Sequence, residues 1–153
     1  ALTIQTGGIM KKIIDNKRYD TESAKFIGSA DWGQPGSFEH CEEDLYRKRT
    51  GEYFLHGFGG PQSKYAESRG QNEWSGGEQI TPLSLESASE WAQANLSADE
   101  YESAFGPVSE DDGDVLIGVR ISANAKRVLD LESSRTGKTQ AAIIDALICD
   151  HLR

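Results

Sequence analysis

Val115-Leu116-Ile117-Gly118-Val119-Arg120-Ile121-Ser122, together with the turn Thr136-Gly137-Lys138-Thr139 that follows it, decides how this chain folds at its C-terminal end. Val115, Ile117, Val119 and Ile121 recur with period two, which places them on one face of a β-strand. Leu116, Gly118, Arg120 and Ser122 occupy the opposite face. Ser122 then caps a helix expected over residues 123–135, where Ala125, Val128, Leu129 and Leu131 form an apolar stripe and Thr136-Gly137 supplies the stop. Thr139 is a good N-cap for a second helix, and Ile143, Ile144, Leu147, Ile148 and Leu152 follow at the spacings of three and four that build one face.

One strand and two helices in about forty residues bury too little apolar surface to be stable alone. A lone strand with one apolar face and an open edge is a natural seam for a twofold dimer, in which it pairs antiparallel with its symmetry mate. The residues expected to carry that dimerisation are Ile117, Val119 and Ile121 on the strand, with Ile143, Ile144, Leu147 and Ile148 on the second helix.

The order strand, helix, Thr-Gly-Lys-Thr, helix resembles the ribbon-helix-helix family of repressors and antitoxins. The likeness spans Val115 to Arg153 and rests on V-R-I-S, L-D, R-T-G-K-T and the spacing of Ile143, Ile144 and Ile148. It implies a dimer whose paired strands enter the major groove of duplex DNA while the start of the second helix holds phosphate. By position, Leu116, Gly118 and Arg120 would face the bases, and Lys138, Thr139 and Gln140 would clamp phosphate. Only Arg120 of the three readers has a hydrogen-bonding side chain, and a bidentate contact to guanine is worth about 1–3 kcal/mol of discrimination. Leu116 offers apolar contact and Gly118 offers backbone. Asp145 and Asp150 would add repulsion if they faced phosphate.

Working outward, charge divides the chain. Residues 1–114 carry 10 Lys/Arg against 21 Asp/Glu, while residues 115–153 carry 6 against 4. The total of −9 argues against loose nucleic-acid binding through overall field alone, and the chain is electrically two-part. The run Gly106-Pro107-Val108-Ser109-Glu110-Asp111-Asp112-Gly113-Asp114 is acidic, rich in breakers and without apolar periodicity, so 107–114 reads as a linker between a domain at 10–106 and a module at 115–153. The fold class expected is α+β, a small N-terminal α+β domain followed by a ribbon-helix-helix dimerisation module. Met10-Lys11-Lys12 reads as a natural start, leaving residues 1–9 as an upstream extension without the marks of a secretory signal. Two distant cysteines, Cys41 and Cys149, make neither a disulfide framework nor a metal pair, which suits a reducing cytoplasm. A mean hydropathy of −0.57 and no apolar run of membrane-spanning length exclude a helical membrane protein.

Within 10–106 the expected elements are a strand near Lys12 to Asp15, a helix or turn around Thr21 to Phe26, and a hairpin. The hairpin joins Asp44 to Lys48 and Glu52 to His56 through Arg49-Thr50-Gly51. A strand near Glu78 to Leu83 then leads through Ser84 into a helix, and Ser97 with Glu100 forms a capping box for another. The motifs K-R-Y-D-T (17–21), L-Y-R-K-R-T-G-E-Y-F-L-H-G (45–57), S-K-Y-A-E-S (63–68) and W-S-G-G-E-Q-I-T-P-L (74–83) resemble an uncharacterised family of small proteins encoded in prophages and other mobile elements. That resemblance implies a setting and no particular chemistry.

Several constellations invite an enzymatic reading. Gly57-Phe58-Gly59-Gly60-Pro61 lacks the GK[ST] ending of a P-loop and reads as a loop after a strand whose glycines allow positive φ. His40, Cys41 and His56 lack an established zinc spacing. Glu39, Glu42, Glu43 and Asp44 read as a solvated acidic face, and Trp74, Trp91, Tyr46, Tyr53 and Phe54 as core. The expectation is therefore a protein without catalytic residues, metal or cofactor. Its first functional reading is a dimeric regulator of a phage or mobile element that binds duplex DNA. The alternative is an interaction or inhibitor protein of anti-defence or antitoxin type, in which the C-terminal module only dimerises and the acidic domain binds a host or phage protein.

Overall fold

The alternating aromatic runs on either side of Arg49-Thr50-Gly51 form the centre of an antiparallel sheet. In the computed structural model, which describes residues 8–110 and 115–152, the order is β1 (Lys11–Ile14), β2 (Lys17–Asp20), β3 (Lys25–Trp32), β4 (Cys41–Arg47), β5 (Tyr53–Gly59), β6 (Glu67–Gly70), β7 (Glu73–Ser75) and β8 (Gly77–Leu83). Helices α1 (Leu85–Asn95), α2 (Ala98–Phe105), α3 (Ala123–Thr136) and α4 (Gln140–His151) follow, so the architecture is mixed α+β. The chain divides into two compact units, Ala1–Gly118 and Val119–Arg153. Residues 107–110 of the expected linker have no helix or strand and belong to the first unit, and residues 111–114 lie outside the described residues, as do 1–7 of the expected N-terminal extension.

In the first unit β3, β4, β5 and β8 make one sheet in that order, all neighbours antiparallel. β4 and β5 form the hairpin expected around Arg49-Thr50-Gly51, pairing from Cys41 with Gly59 to Arg47 with Tyr53. Both faces of these strands are covered, which explains why Glu43 to Tyr46 and Tyr53 to Gly57 are buried without a break. On one face Leu45, Tyr53 and Leu55 pack with Ala88 and Ala92 of α1. On the other, Tyr46, Phe54 and Ile80 meet Tyr19 of the β1–β2 hairpin, with Met10, Ile14 and Phe26 at the margin. Tyr46 stacks on Phe54 at 5.2 Å between centroids, and Tyr19 meets Phe54 edge-on at 5.5 Å.

Local chemistry sets the joints. The β1–β2 turn holds Asp15 and Asn16 at φ of 49° and 61°, residue types that tolerate the left-handed region. Ser84 caps α1 by accepting from the Ser87 amide, and Ser97 and Glu100 complete the capping box of α2 in both directions. Of the helix or turn expected at 21–26 the turn forms, over residues 21–24, closed by Ala24 N–H donating to the Asp20 carbonyl at 3.1 Å, and the chain from Lys25 onward is β3.

The second unit contains α3 and α4. Ser122 caps α3 through the Ala125 amide, Gly137 closes it in the left-handed conformation at φ 70°, and Thr139 caps α4 through the Ala142 amide. Lys126 of α3 contacts Asp130 at 2.7 Å and donates to Gln140 of α4 at 2.8 Å, and Gln140 donates to Asp130. Residues 115–122, expected as a strand, are in no ladder in the single chain. A strand needs a hydrogen-bonded partner, and the described residues supply none to this segment.

Candidate functional site

The residues expected to bind DNA fall in both units. Leu116 and Gly118 are in the first unit, where a Cβ on Gly118 would lie 2.9 Å from the Leu85 side chain. Arg120, Lys138, Thr139 and Gln140 are in the second. Arg120, Lys138 and Thr139 are exposed, and Gln140 is half-buried against Asp130 and Lys126. Thr139 spends its hydroxyl on the α4 cap, while the Lys138 carbonyl accepts from the Ser133 hydroxyl at 2.7 Å, which pins the turn between the helices. Thr139 is thus a capping residue first, with its side chain turned to its own helix.

The expected dimerisation residues are exposed almost throughout. Ile117 is 60% and Val119 71% accessible, and Ile121, Ile144, Leu147 and Ile148 are exposed as well. Ile143 alone is half-buried. Neither α3 nor α4 contains a buried residue. Ile117 belongs to the first unit and the others to the second, where the described residues leave all but Ile143 uncovered.

The first unit holds a polar centre that periodicity conceals. Glu43 is buried on the α1 face of β4 and accepts from Tyr65 Oη at 2.6 Å and Trp91 Nε1 at 2.6 Å, while Lys64 closes an ion pair on the same carboxylate. Burial opposes the charge, but the hydrogen bonds from Lys64, Tyr65 and Trp91 outweigh it and hold the Glu43 carboxyl below the ordinary glutamate range. Burial, and then the hydrogen bond to Glu43, push the Tyr65 phenol far above its usual value. Burial likewise raises the Cys41 thiol, which Lys64 offsets in part. The arrangement ties the 60–66 loop to β4 and α1 through one carboxylate.

Across the sheet His56 is fully buried. Its Nε2 lies 2.9 Å from Glu78 Oε2, its Nδ1 has no hydrogen-bond partner among the described residues, and Asp44, equally buried, faces it in register. The acidic run 39–44 is therefore not a solvated face throughout, because Glu43 and Asp44 turn inward on opposite sides of β4. Gly57 and Gly59 also differ from expectation, since both lie within β5 and neither has positive φ. A Cβ on Gly57 would lie 1.9 Å from the Tyr65 ring, so this glycine is required by close approach. Tyr46, Tyr53 and Phe54 are core and Trp91 is packed against it, whereas Trp74 is 59% exposed on β7 and is no part of it.

A shallow cleft of about 620 Å³ opens at the Gly59 end of the sheet, lined by Phe58, His40, Glu67, Arg69 and Glu78 among glycines. Among the described residues no three His, Cys, Asp or Glu side chains are placed to share a metal ion, and no helix is long and apolar enough to cross a membrane. Cys41 and Cys149 are not joined in a disulfide. Sequence reading missed Lys64 and Tyr65. Their signal is faint, a Lys-Tyr pair in a loop opposite a glycine-bearing strand. No family model, no curated protein and no solved structure matches the chain.

Proposed function

We propose that this chain is a non-enzymatic dimeric DNA-binding regulator of repressor or antitoxin type, serving a phage or mobile element in the cytoplasm. The second unit, with the segment that leads into it, acts as a ribbon-helix-helix module. Residues 115–122 pair with the same residues of a second copy, and Ile143, Ile144, Leu147 and Ile148 close beneath the ribbon. The observation that carries this reading is the second unit itself, two well-capped helices with no buried residue. Order without a core needs a second copy to supply one. On the ribbon's outer face Arg120 reads a base, flanked by Leu116 and Gly118, and the amides at the start of α4 with Lys138 meet phosphate.

A second reading is favoured by charge. Residues 1–114 carry 21 Asp/Glu against 10 Lys/Arg, and the ribbon offers Arg120 as its single hydrogen-bonding reader. In that reading the module only dimerises and the acidic first unit engages a protein.

Fluorescence anisotropy on the DNA upstream of the chain's own gene, across a salt series, separates the two. A regulator shows log affinity falling linearly with log salt, a loss of about 1–3 kcal/mol of discrimination in Arg120→Ala, and a salt slope lowered by about one in Lys138→Ala. A dimer confirmed by sedimentation that fails to bind at low salt overturns the first reading and leaves the second.

A further inference from the structure

The two ends of the first unit's sheet differ in character. Register sets Lys25, Arg47, Tyr53 and Leu83 abreast at one end, and Trp32, Cys41, Gly59 and Gly77 abreast at the other. The second end opens into the 33–40 loop, the 60–66 loop and the β6–β7 hairpin. All the exposed tryptophan and phenylalanine side chains of the described residues lie there: Trp32 at 39%, Phe38 at 65% and Trp74 at 59%. Residues 31–43 and 60–78 also carry seven Asp/Glu against two Lys/Arg, and of the seven only Glu43 is buried. Both cations are engaged internally, Lys64 on Glu43 and Arg69 beside Glu67 at 4.0 Å. The cleft with Phe58 at its wall lies among these features.

We propose that this end of the sheet is a docking surface for an arginine-rich face of another protein. It is independent of how the second unit pairs or whether it binds DNA. Exposed aromatics supply rigid contact area, and carboxylates around them select a cationic partner and repel phosphate. A guanidinium suits both features, since it stacks on an aromatic face while its edge forks to carboxylates. The molecule already shows this mode in miniature: the Lys64 ammonium lies 4.6 Å over the Trp32 ring while its charge is met by Glu43. Single-stranded nucleic acid would use the aromatics too, but the acidic ring disfavours it.

The test titrates the full-length chain with a synthetic peptide of about twelve residues alternating Arg with Gly and Ser, followed by tryptophan emission, beside the same peptide with citrulline in place of arginine. Saturable binding is expected with arginine, weakened about tenfold or more with citrulline. Phe38→Ala and Trp74→Ala, which leave the charge unchanged, should each weaken it about fivefold, while Arg49→Ala at the far end should change it less than about twofold. Three results overturn the proposal: no binding, equal binding by the aromatic variants (which would reduce the effect to general acidity), or tighter binding of an oligo-dT of equal length that is lost in Trp74→Ala.

Discussion

Leu45, Tyr46 and Phe54 in the first unit have much the same chemistry as Ile144, Leu147 and Ile148 in the second, yet the former are fully buried and the latter exposed. The first unit closes both faces of its sheet with its own helices and hairpin. The second is specified by its caps and its left-handed Gly137, and these local devices set direction and length without supplying burial. One unit thus buries its apolar residues within the described chain, and the other leaves them exposed.

The largest effect should break this comparison most sharply. Phe54→Ala removes a ring stacked on Tyr46 and edged by Tyr19, a change expected to lower the first unit's stability by about 3–5 kcal/mol at every protein concentration. Ile148→Ala should leave the first unit's melting unchanged and lower the midpoint of the second unit in a manner that depends on concentration. Melting followed by near- and far-ultraviolet circular dichroism over a hundredfold concentration range reads both. If the second unit melts at one temperature throughout, it does not depend on a partner copy.

Glu43 sharpens the description of the first unit. Its carboxyl is held below the ordinary glutamate value, so the ionised form is bound more tightly in the folded chain than in the unfolded one. The stability it contributes is complete above the unfolded value of about 4.3 and is lost as pH falls through the lower folded value. Glu43→Gln leaves Lys64 facing a neutral amide. Lys64 is half exposed and stays solvated, so the expected cost is that of weakening the charge-assisted hydrogen bonds from Tyr65 and Trp91, about 1–3 kcal/mol near neutral pH, and the variant should lose the wild-type slope below about pH 4.3. Denaturant midpoints measured from pH 3 to pH 7 decide it, and parallel curves for the two proteins would remove Glu43 from the acid-sensitive part of the fold.

What was legible in the sequence follows from the same division. Ser84, Ser97, Ser122, Thr139 and Gly137 each act on amides within a few residues, so a short window reveals them. The β4–β5 hairpin is legible for the same reason. β3 was hidden because Gly28 and the irregularity between Phe26 and Gly28 interrupt its alternation. The Glu43 centre was hidden because its partners lie 21, 22 and 48 residues away. Trp74 misled because a tryptophan between polar residues carries the same signal whether its hairpin is covered or stands out from the sheet.

The smallest effect compares two equivalent caps. Ser97→Ala and Ser122→Ala each remove one hydroxyl that accepts from the amide three residues on, and each should cost about 1 kcal/mol. The consequence differs with context. Tyr101 and Phe105 of α2 stack in turn with Tyr53, so the loss of Ser97 is shared by the whole first unit and shows as a small shift in its melting midpoint. α3 has no buried residue to hold it once the cap is gone, so in the dilute single chain the loss of Ser122 should appear directly as reduced helicity, a change of about fivefold in the local helix equilibrium. Raising the concentration should restore it, because association adds the burial that the single chain lacks. Helicity in Ser122→Ala that matches the wild type at the lowest concentration would mean that the second unit stands on its own, and the contrast between the two units would fall with it.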